Sequence, residues 1–147
     1  MDKQNNILNL ALFENLDIFT KNKQYKDIAV ENEVFYFYKS NNSSYFNLLN
    51  DIIKATKIDM DKIKTVEISE TENVNMGKFY DESKCKVLIF FGFTNDELGI
   101  PSICKKYQTI NLRNKTLLLA ETLEVISNDK ASKNLLWKSL KEIFNIL

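Results

Sequence analysis

The stretch "CKVLIFFGF", Cys85–Phe93, decides the fold class of this chain. Its central residues, Val87–Phe91, form a continuous apolar run. Such a run is typical of a strand that is buried on both faces of a parallel sheet. Because a strand of this kind needs covering elements on each face, we expect it at the centre of an α/β sandwich.

Strand and helix patterns alternate around this stretch. The dense aromatic run "EVFYFYK" (Glu33–Lys39) and the run "IKTVEIS" (Ile63–Ser69) predict strands, and "YQTINL" (Tyr107–Leu112) predicts a fourth. Between the first two, "NNSSYFNLLNDIIKAT" predicts a helix that begins after a cap at Asn42 or Ser43. This order predicts a three-layer α/β sandwich with a mainly parallel four-stranded sheet.

The C-terminal third predicts two further helices. "TLLLAETLEVISN" predicts helix near Glu121, and a last helix begins at about Asp129. On a helical wheel the last helix has a narrow apolar stripe with the only tryptophan at its margin. The predicted core positions are Leu136, Leu140, Ile143 and Leu147, with Phe144 nearby and Trp137 at the edge.

The domain organisation follows from how rarely the chain is interrupted. With 3 Gly and 1 Pro it contains no linker-like stretch, which favours a single domain over 1–147. Residues 1–27 form an N-terminal segment and 28–147 the body. The segment carries an apolar stripe, which predicts a partner-binding helix or, as an equal alternative, an ordinary first helix on the protein's own sheet. The stripe residues are Leu8, Leu12, Leu16, Ile18 and Phe19.

Composition excludes several classes of function. The chain has 20 basic and 20 acidic residues, whereas a dedicated DNA-backbone binder usually has a positive excess. It has no histidine, which removes Ser-His-Asp and Cys-His arrangements and most metal sites. Its glycines, Gly77, Gly92 and Gly99, lack the spacing of a phosphate-binding loop. We therefore predict no catalytic residue, no cofactor and no metal.

The cysteines and the N-terminus predict a cytoplasmic protein. Cys85 and Cys104 both lie beside apolar residues, which favours reduced, partly buried thiols over a disulfide. The N-terminal apolar run is broken by Asn9 and Glu14, unlike a signal peptide. No segment approaches the length of a membrane span.

Three stretches are candidate ligand sites. "GFTNDELG" (Gly92–Gly99) follows the central strand, where α/β proteins bind ligands, but a solvated turn is the favoured explanation of Asp96 and Glu97. Cys104 is followed by two lysines, a setting that favours a reactive thiolate, yet no general base accompanies it, so a structural thiol is favoured. The aromatic residues of "VFYFYKSNNSSYF" could stack nucleobases, but strands favour aromatic residues in any case.

The C-terminal stretch "TLEVISNDKASKNLLWKSLKEI" (Thr122–Ile143) resembles the ending of the psi subunit of bacterial DNA polymerase III. In that family an acidic-capped turn leads into a helix with a basic residue, a Leu-Trp pair and a further aliphatic residue. Here these are Asp129, Lys133, Leu136-Trp137 and Leu140. The order of the preceding elements is also similar, and "ENLDIFTKNK" is similar to the family's N-terminal segment.

The resemblance implies a fold similar to the uracil-DNA glycosylases, without their activity. It also implies a non-catalytic accessory subunit of the replicative polymerase, whose N-terminal segment binds clamp-loader subunits and whose body binds a second small subunit. Neither sequence-specific nucleic-acid binding nor a membrane is implied. Two alternatives stay open: a nucleobase- or nucleotide-binding protein or enzyme of the glycosylase fold, and an unrelated homo-oligomeric interaction domain.

Overall fold

The computed structural model describes residues 32–69 and 76–146. A five-stranded sheet runs through this part of the chain in the order β2-β1-β3-β5-β4. The first four of these strands are parallel to one another, and β4 pairs with β5 in the antiparallel sense. The strands are β1 (Val34–Lys39), β2 (Ile63–Ile68), β3 (Val87–Phe91), β4 (Ile110–Leu112) and β5 (Lys115–Ala120).

Helices cover both faces of the sheet, so the α/β architecture predicted from the sequence is confirmed in general form. Three helices lie on one face: α1 (Phe46–Ala55), α4 (Leu123–Asn128) and α5 (Lys130–Phe144). Two further helices of the described residues lie on the other: α2 (Met76–Glu82) and α3 (Asn95–Leu98). Short 3-10 turns at Ser40–Tyr45 and Met60–Lys62 precede α1 and β2. None of the described helices is both long enough and apolar enough to cross a membrane.

The predicted central position of β3 is confirmed. It pairs with β1 on one side and with β5 on the other. Leu88 and Phe90 pack in the core beneath α2 and α3, whereas Ile89 and Phe91 pack beneath α1, α4 and α5. Because successive side chains of a strand point to opposite faces, a continuous apolar run is required wherever both faces are covered.

The prediction of four strands was one strand short. The predicted fourth strand shrinks to Ile110–Leu112 and is antiparallel, and the fourth parallel strand is Lys115–Ala120. A two-residue turn joins them, in which Arg113 and Asn114 both have positive φ, 50° and 67°. Positive φ at both positions matches the right-handed twist of a hairpin. Periodicity does not distinguish a short apolar run such as "TLLLA" from a buried helix segment.

The start of α1 differs from the prediction. A cap at Asn42 or Ser43 was expected, but α1 begins at Phe46 and its preceding residue, Tyr45, makes no capping hydrogen bond from its side chain. The 3-10 turn occupies the intervening residues, and Asn42 is turned inward and buried.

The predicted buried face of α5 is confirmed in the middle of the helix. Leu136 and Leu140 are buried, and the half-buried Ile143 and Phe144 pack against the same core. Trp137 is half-buried at the margin, as predicted, and Leu147 lies outside the described residues. Asp129 caps the helix, because its carboxylate accepts a hydrogen bond from the Ala131 N–H.

Candidate functional site

The predicted partner-binding stripe lies outside the described residues. It comprises Leu8, Leu12, Leu16, Ile18 and Phe19. The described body contains three features where a ligand or partner could be held: a crevice at the carboxyl ends of the strands, a groove between two helices, and a cavity at the amino ends of the strands.

The crevice lies where β1 and β3 end side by side. From β1 the chain moves to β2 on one side, and from β3 it moves to β4 and then β5 on the other. In open α/β sheets this reversal is where ligands bind. The loop Gly92–Gly99, predicted as a candidate site, follows β3 and reaches the end of β1, so its predicted position is confirmed.

An ion pair closes the top of this crevice. Lys39, the last residue of β1, places its Nζ 2.6 Å from Oε2 of Glu97. The same ammonium lies 4.8 Å from the centre of the Phe93 ring. A cation over an aromatic face is attracted by the ring's quadrupole, so both neighbours hold the lysine in one place.

Glu97 has a second role, as part of a capping box. Its carboxylate accepts from the Thr94 N–H, and the Thr94 hydroxyl accepts from the Glu97 N–H. Partial burial acts to raise the pKa of Glu97, but hydrogen bonds from Lys39 and Thr94 outweigh it and lower that pKa. Glu97 is therefore a charged structural anchor at neutral pH, which makes it poorly suited to act as a proton donor.

The floor of the crevice is filled by contacts between loops. Asn42 is buried, and its Oδ1 accepts from the Glu124 N–H at 2.8 Å, which ties the turn after β1 to α4. Gly92 has a φ of 81°, and a Cβ at this position would lie 2.7 Å from Cγ2 of Thr122. The segments that follow β1, β3 and β5 thus contact one another directly.

The loop that follows the last parallel strand, β5, is short. The relevant loop is Glu121–Thr122, and the Thr122 hydroxyl accepts from the Val125 N–H to cap α4.

Both cysteines are free and held in structural surroundings. Burial raises the pKa of the Cys85 thiol, an effect that the Ser83 hydroxyl and the Lys115 ammonium oppose. Lys115 is itself buried and donates to the carbonyls of Ser83 and Cys85, at 2.7 and 3.0 Å. A buried thiol with a raised pKa is a poor nucleophile.

The second candidate, Cys104, lies in a loop that is pinned by a side-chain amide. Asn95 Nδ2 donates to the carbonyls of Pro101 and Cys104, both at 2.8 Å. Cys104 is half-buried against the core beneath α2 and α3. Within the described ranges, no three His, Cys, Asp or Glu side chains come together as a metal site.

The groove lies between α1 and α5 and is apolar. Its cavity has a volume of about 220 Å³. The buried side chains of Ile126, Leu136 and Leu140 line it together with the half-buried Leu48, Ile52 and Trp137 and the exposed Ala55. Asp51 and Lys133 are its charged lining residues. A groove of this composition suits an apolar helix face better than a polar metabolite.

The cavity at the amino ends of the strands is larger and more polar. It measures about 320 Å³ and lies among the ends of several elements. Its charged lining residues are Glu33, Lys57, Asp59, Lys62 and Lys86, and its apolar ones are Val34, Ile58, Val87 and Phe144. Since both signs of charge are present, it does not form a dedicated anion site.

Comparison with known proteins identifies no relative. No family model matches the chain, and neither a curated protein nor a solved structure is similar to it at a significant level. The resemblance to the psi family therefore rests on the residues and the order of elements in this chain alone.

Sequence reasoning located the Gly92–Gly99 loop but missed its partners. Lys39 was recognised only as the last residue of a strand, and its pairing with Glu97, 58 positions away, has no local signal. The groove was also missed. The helical spacing of Leu48, Ile52 and Ala55 was a usable signal, because residues three or four apart share a helix face.

Proposed function

We propose that this protein is a non-catalytic accessory subunit of the bacterial replicative DNA polymerase, similar to the psi subunit, and that it works through protein–protein contacts. Its N-terminal stripe, Leu8 to Phe19, would bind clamp-loader subunits, and its body could bind a second small subunit. It would need no cofactor and no metal.

The observation that carries this proposal is the state of the carboxyl-edge crevice. In a ligand-binding α/β protein the polar groups at that position are available to a ligand. Here Glu97 is engaged by Lys39 and Thr94, and Asn42 by Glu124. Side chains already engaged in this way hold the fold together, which favours a scaffold for contacts over a catalytic pocket.

The finer description of the fold belongs to the same proposal. We infer that the four parallel strands, with helices on both faces, correspond to the sheet of a uracil-DNA glycosylase-like domain. On this view the turn after β1 lies where a glycosylase carries its water-activating loop. The buried amide of Asn42, bonded to Glu124, would have lost that role.

The test is a binding assay with the full chain. Tagged protein is mixed with purified clamp-loader ATPase subunits, and retention of those subunits is measured at several salt concentrations. Retention by the unchanged protein and loss of retention in Leu12→Asp/Leu16→Asp is the expected result, because carboxylates on the stripe cannot be buried against a partner.

A matched control separates the stripe from a general charge effect. Asn6→Asp/Leu10→Asp places two carboxylates on the opposite side of the predicted helix and should retain the subunits. If the folded, unchanged protein retains no clamp-loader subunit, the proposed function is wrong.

A further inference from the structure

The groove between α1 and α5 leaves apolar side chains without full cover. Trp137, Leu48 and Ile52 are only half-buried, and Ala55 is exposed, although all four line the groove. Covering apolar surface contributes about 25 cal/mol per Å². The groove therefore favours an occupant with a complementary apolar face.

The described chain begins close to one end of this groove. Residue Glu33 and the start of β1 line the amino-edge cavity together with Lys57, just after α1, and Phe144, the last residue of α5. The groove residues Ala55 and Leu140 lie near these same helix ends. The 31 residues that precede Asn32 thus join the body beside the groove.

The preceding residues contain an apolar face of suitable length. Leu8, Leu12, Leu16 and Phe19 recur at the spacing of one helix face and span about 16 Å as a helix. The groove follows α5 from Lys133 to Leu140, a length of about 10 Å at the same rise. Residues 20–31 form a connection that can extend to about 40 Å, so the stripe can reach any part of the groove.

We propose that residues Leu8–Phe19 dock as a helix in the groove between α1 and α5 of their own chain. A connection of 12 residues gives the segment an effective concentration of about 1 mM at the groove, so docking within one chain outcompetes docking of a second copy at micromolar protein. Docking buries the apolar stripe and completes the cover of Trp137. This inference does not depend on the proposed function, because it concerns the isolated protein; a clamp-loader subunit that binds the same stripe would have to displace it from the groove.

Trp137 reports directly on the occupant, since it is the only tryptophan of the chain. The experiment compares its emission maximum and its quenching by acrylamide in the full chain and in Leu12→Asp/Leu16→Asp. We expect emission at longer wavelength and stronger quenching in the variant, and no change in Asn6→Asp/Leu10→Asp. Far-UV circular dichroism verifies that the body remains folded in each protein.

A second variant approaches the same contact from the groove. Ala55→Lys places a long charged side chain at an exposed position of the groove lining. In the unchanged chain, Ala55→Lys should shift the Trp137 emission as Leu12→Asp/Leu16→Asp does. Added to that double variant it should cause no further shift, because the segment Leu8–Phe19 no longer occupies the groove.

Four outcomes would overturn the inference. Unchanged emission in Leu12→Asp/Leu16→Asp shows that the stripe does not cover Trp137. An equal change in Asn6→Asp/Leu10→Asp shows that the stripe is not the docking face. Unchanged emission in Ala55→Lys shows that the segment does not occupy the groove. Emission that depends on protein concentration, with dimers detected by sedimentation, assigns the groove to a second copy.

Discussion

The ammonium of Lys39 and the carboxylate of Glu97, 2.6 Å apart, join the end of β1 to the helical turn after β3. The two residues are 58 positions apart in the chain, and their pairing spans the point where the strand order reverses. A ligand bound at this edge of the sheet would contact these two side chains, but here they are paired with each other.

Glu97→Gln should lower stability slightly at neutral pH and not at all in acid. The pKa of Glu97 is held below its ordinary value of 4.5 in the folded state, so its charged form stabilises the fold above that pH. This stabilisation is lost as pH falls from about 4.5 through the lower folded pKa. Because the Glu97 side chain is 41% exposed, solvent screening limits the effect to about 1 kcal/mol.

The measurement is urea denaturation of both proteins between neutral pH and about pH 3. Glutamine keeps a carbonyl oxygen that can accept from the Thr94 N–H, so the variant removes the charge and leaves the cap. A stability difference that stays constant across this range would contradict the assignment of the charge effect to Glu97.

Gly92→Ala should destabilise the protein by about 1–3 kcal/mol. The residue has a φ of 81°, and its new Cβ would meet Cγ2 of Thr122 at 2.7 Å. Gly99→Ala is the control, since its φ is 67° but no atom lies within 4 Å of the new Cβ. Gly99→Ala should then lose only the free energy needed to hold an alanine at positive φ, about 1–2 kcal/mol.

Chemical denaturation of a mutant cycle separates the two causes. Thr122→Ser removes the crowding methyl group and retains the hydroxyl that caps α4. Gly92→Ala should therefore cost less in the Thr122→Ser protein than in the unchanged one. Equal costs in both backgrounds would show that the contact with Thr122 is unimportant.

Leu140→Ala should reduce the free energy of unfolding by about 2–5 kcal/mol. Leu140 is 1% exposed, and its side chain lies in the core between α5 and the sheet. Leu135→Ala removes the same atoms from a neighbouring position that is 47% exposed, and should change stability by no more than about 0.5 kcal/mol. Thermal unfolding of the two variants compares them directly, and similar melting temperatures would refute the core assignment of Leu140.

Tyr36→Phe should leave stability unchanged or raise it. Tyr36 is fully buried, and its hydroxyl has no hydrogen-bond partner among the described residues. Burial raises the pKa of this hydroxyl, whereas the nearby Thr56 hydroxyl lowers it; that threonine donates instead to the Ile53 carbonyl. Removing an unpaired buried hydroxyl relieves a desolvation cost of about 1–3 kcal/mol.

Tyr80→Phe is the matched comparison, because it removes a paired hydroxyl. The Tyr80 hydroxyl donates to the Leu98 carbonyl at 3.0 Å within the opposite core. Its loss should cost about 0.5–1.5 kcal/mol. In urea denaturation, Tyr80→Phe should have a lower free energy of unfolding than the unchanged protein, and Tyr36→Phe an equal or higher one. A larger loss of stability in Tyr36→Phe than in Tyr80→Phe would show that the Tyr36 hydroxyl is paired.

The sequence by itself determined the architecture. The continuous apolar run Val87–Phe91 required cover on both faces, and the spacing of Leu136 and Leu140 required a helix with one buried side. These are local patterns, because the period of a strand or helix is written in neighbouring residues. They predicted the α/β class, the central strand and the buried face of the last helix.

Only the tertiary structure decided which distant groups meet. "TLLLA" forms the fourth parallel strand, where it pairs with β3. The pattern of these residues alone does not distinguish a strand from a buried helix segment. Asn42 or Ser43 was expected to cap the helix that follows them, but Asn42 instead accepts a hydrogen bond from the Glu124 N–H at the start of α4, 82 positions away. The pairing of Lys39 with Glu97 and the groove between α1 and α5 likewise arise from packing, because they join residues that no local period relates.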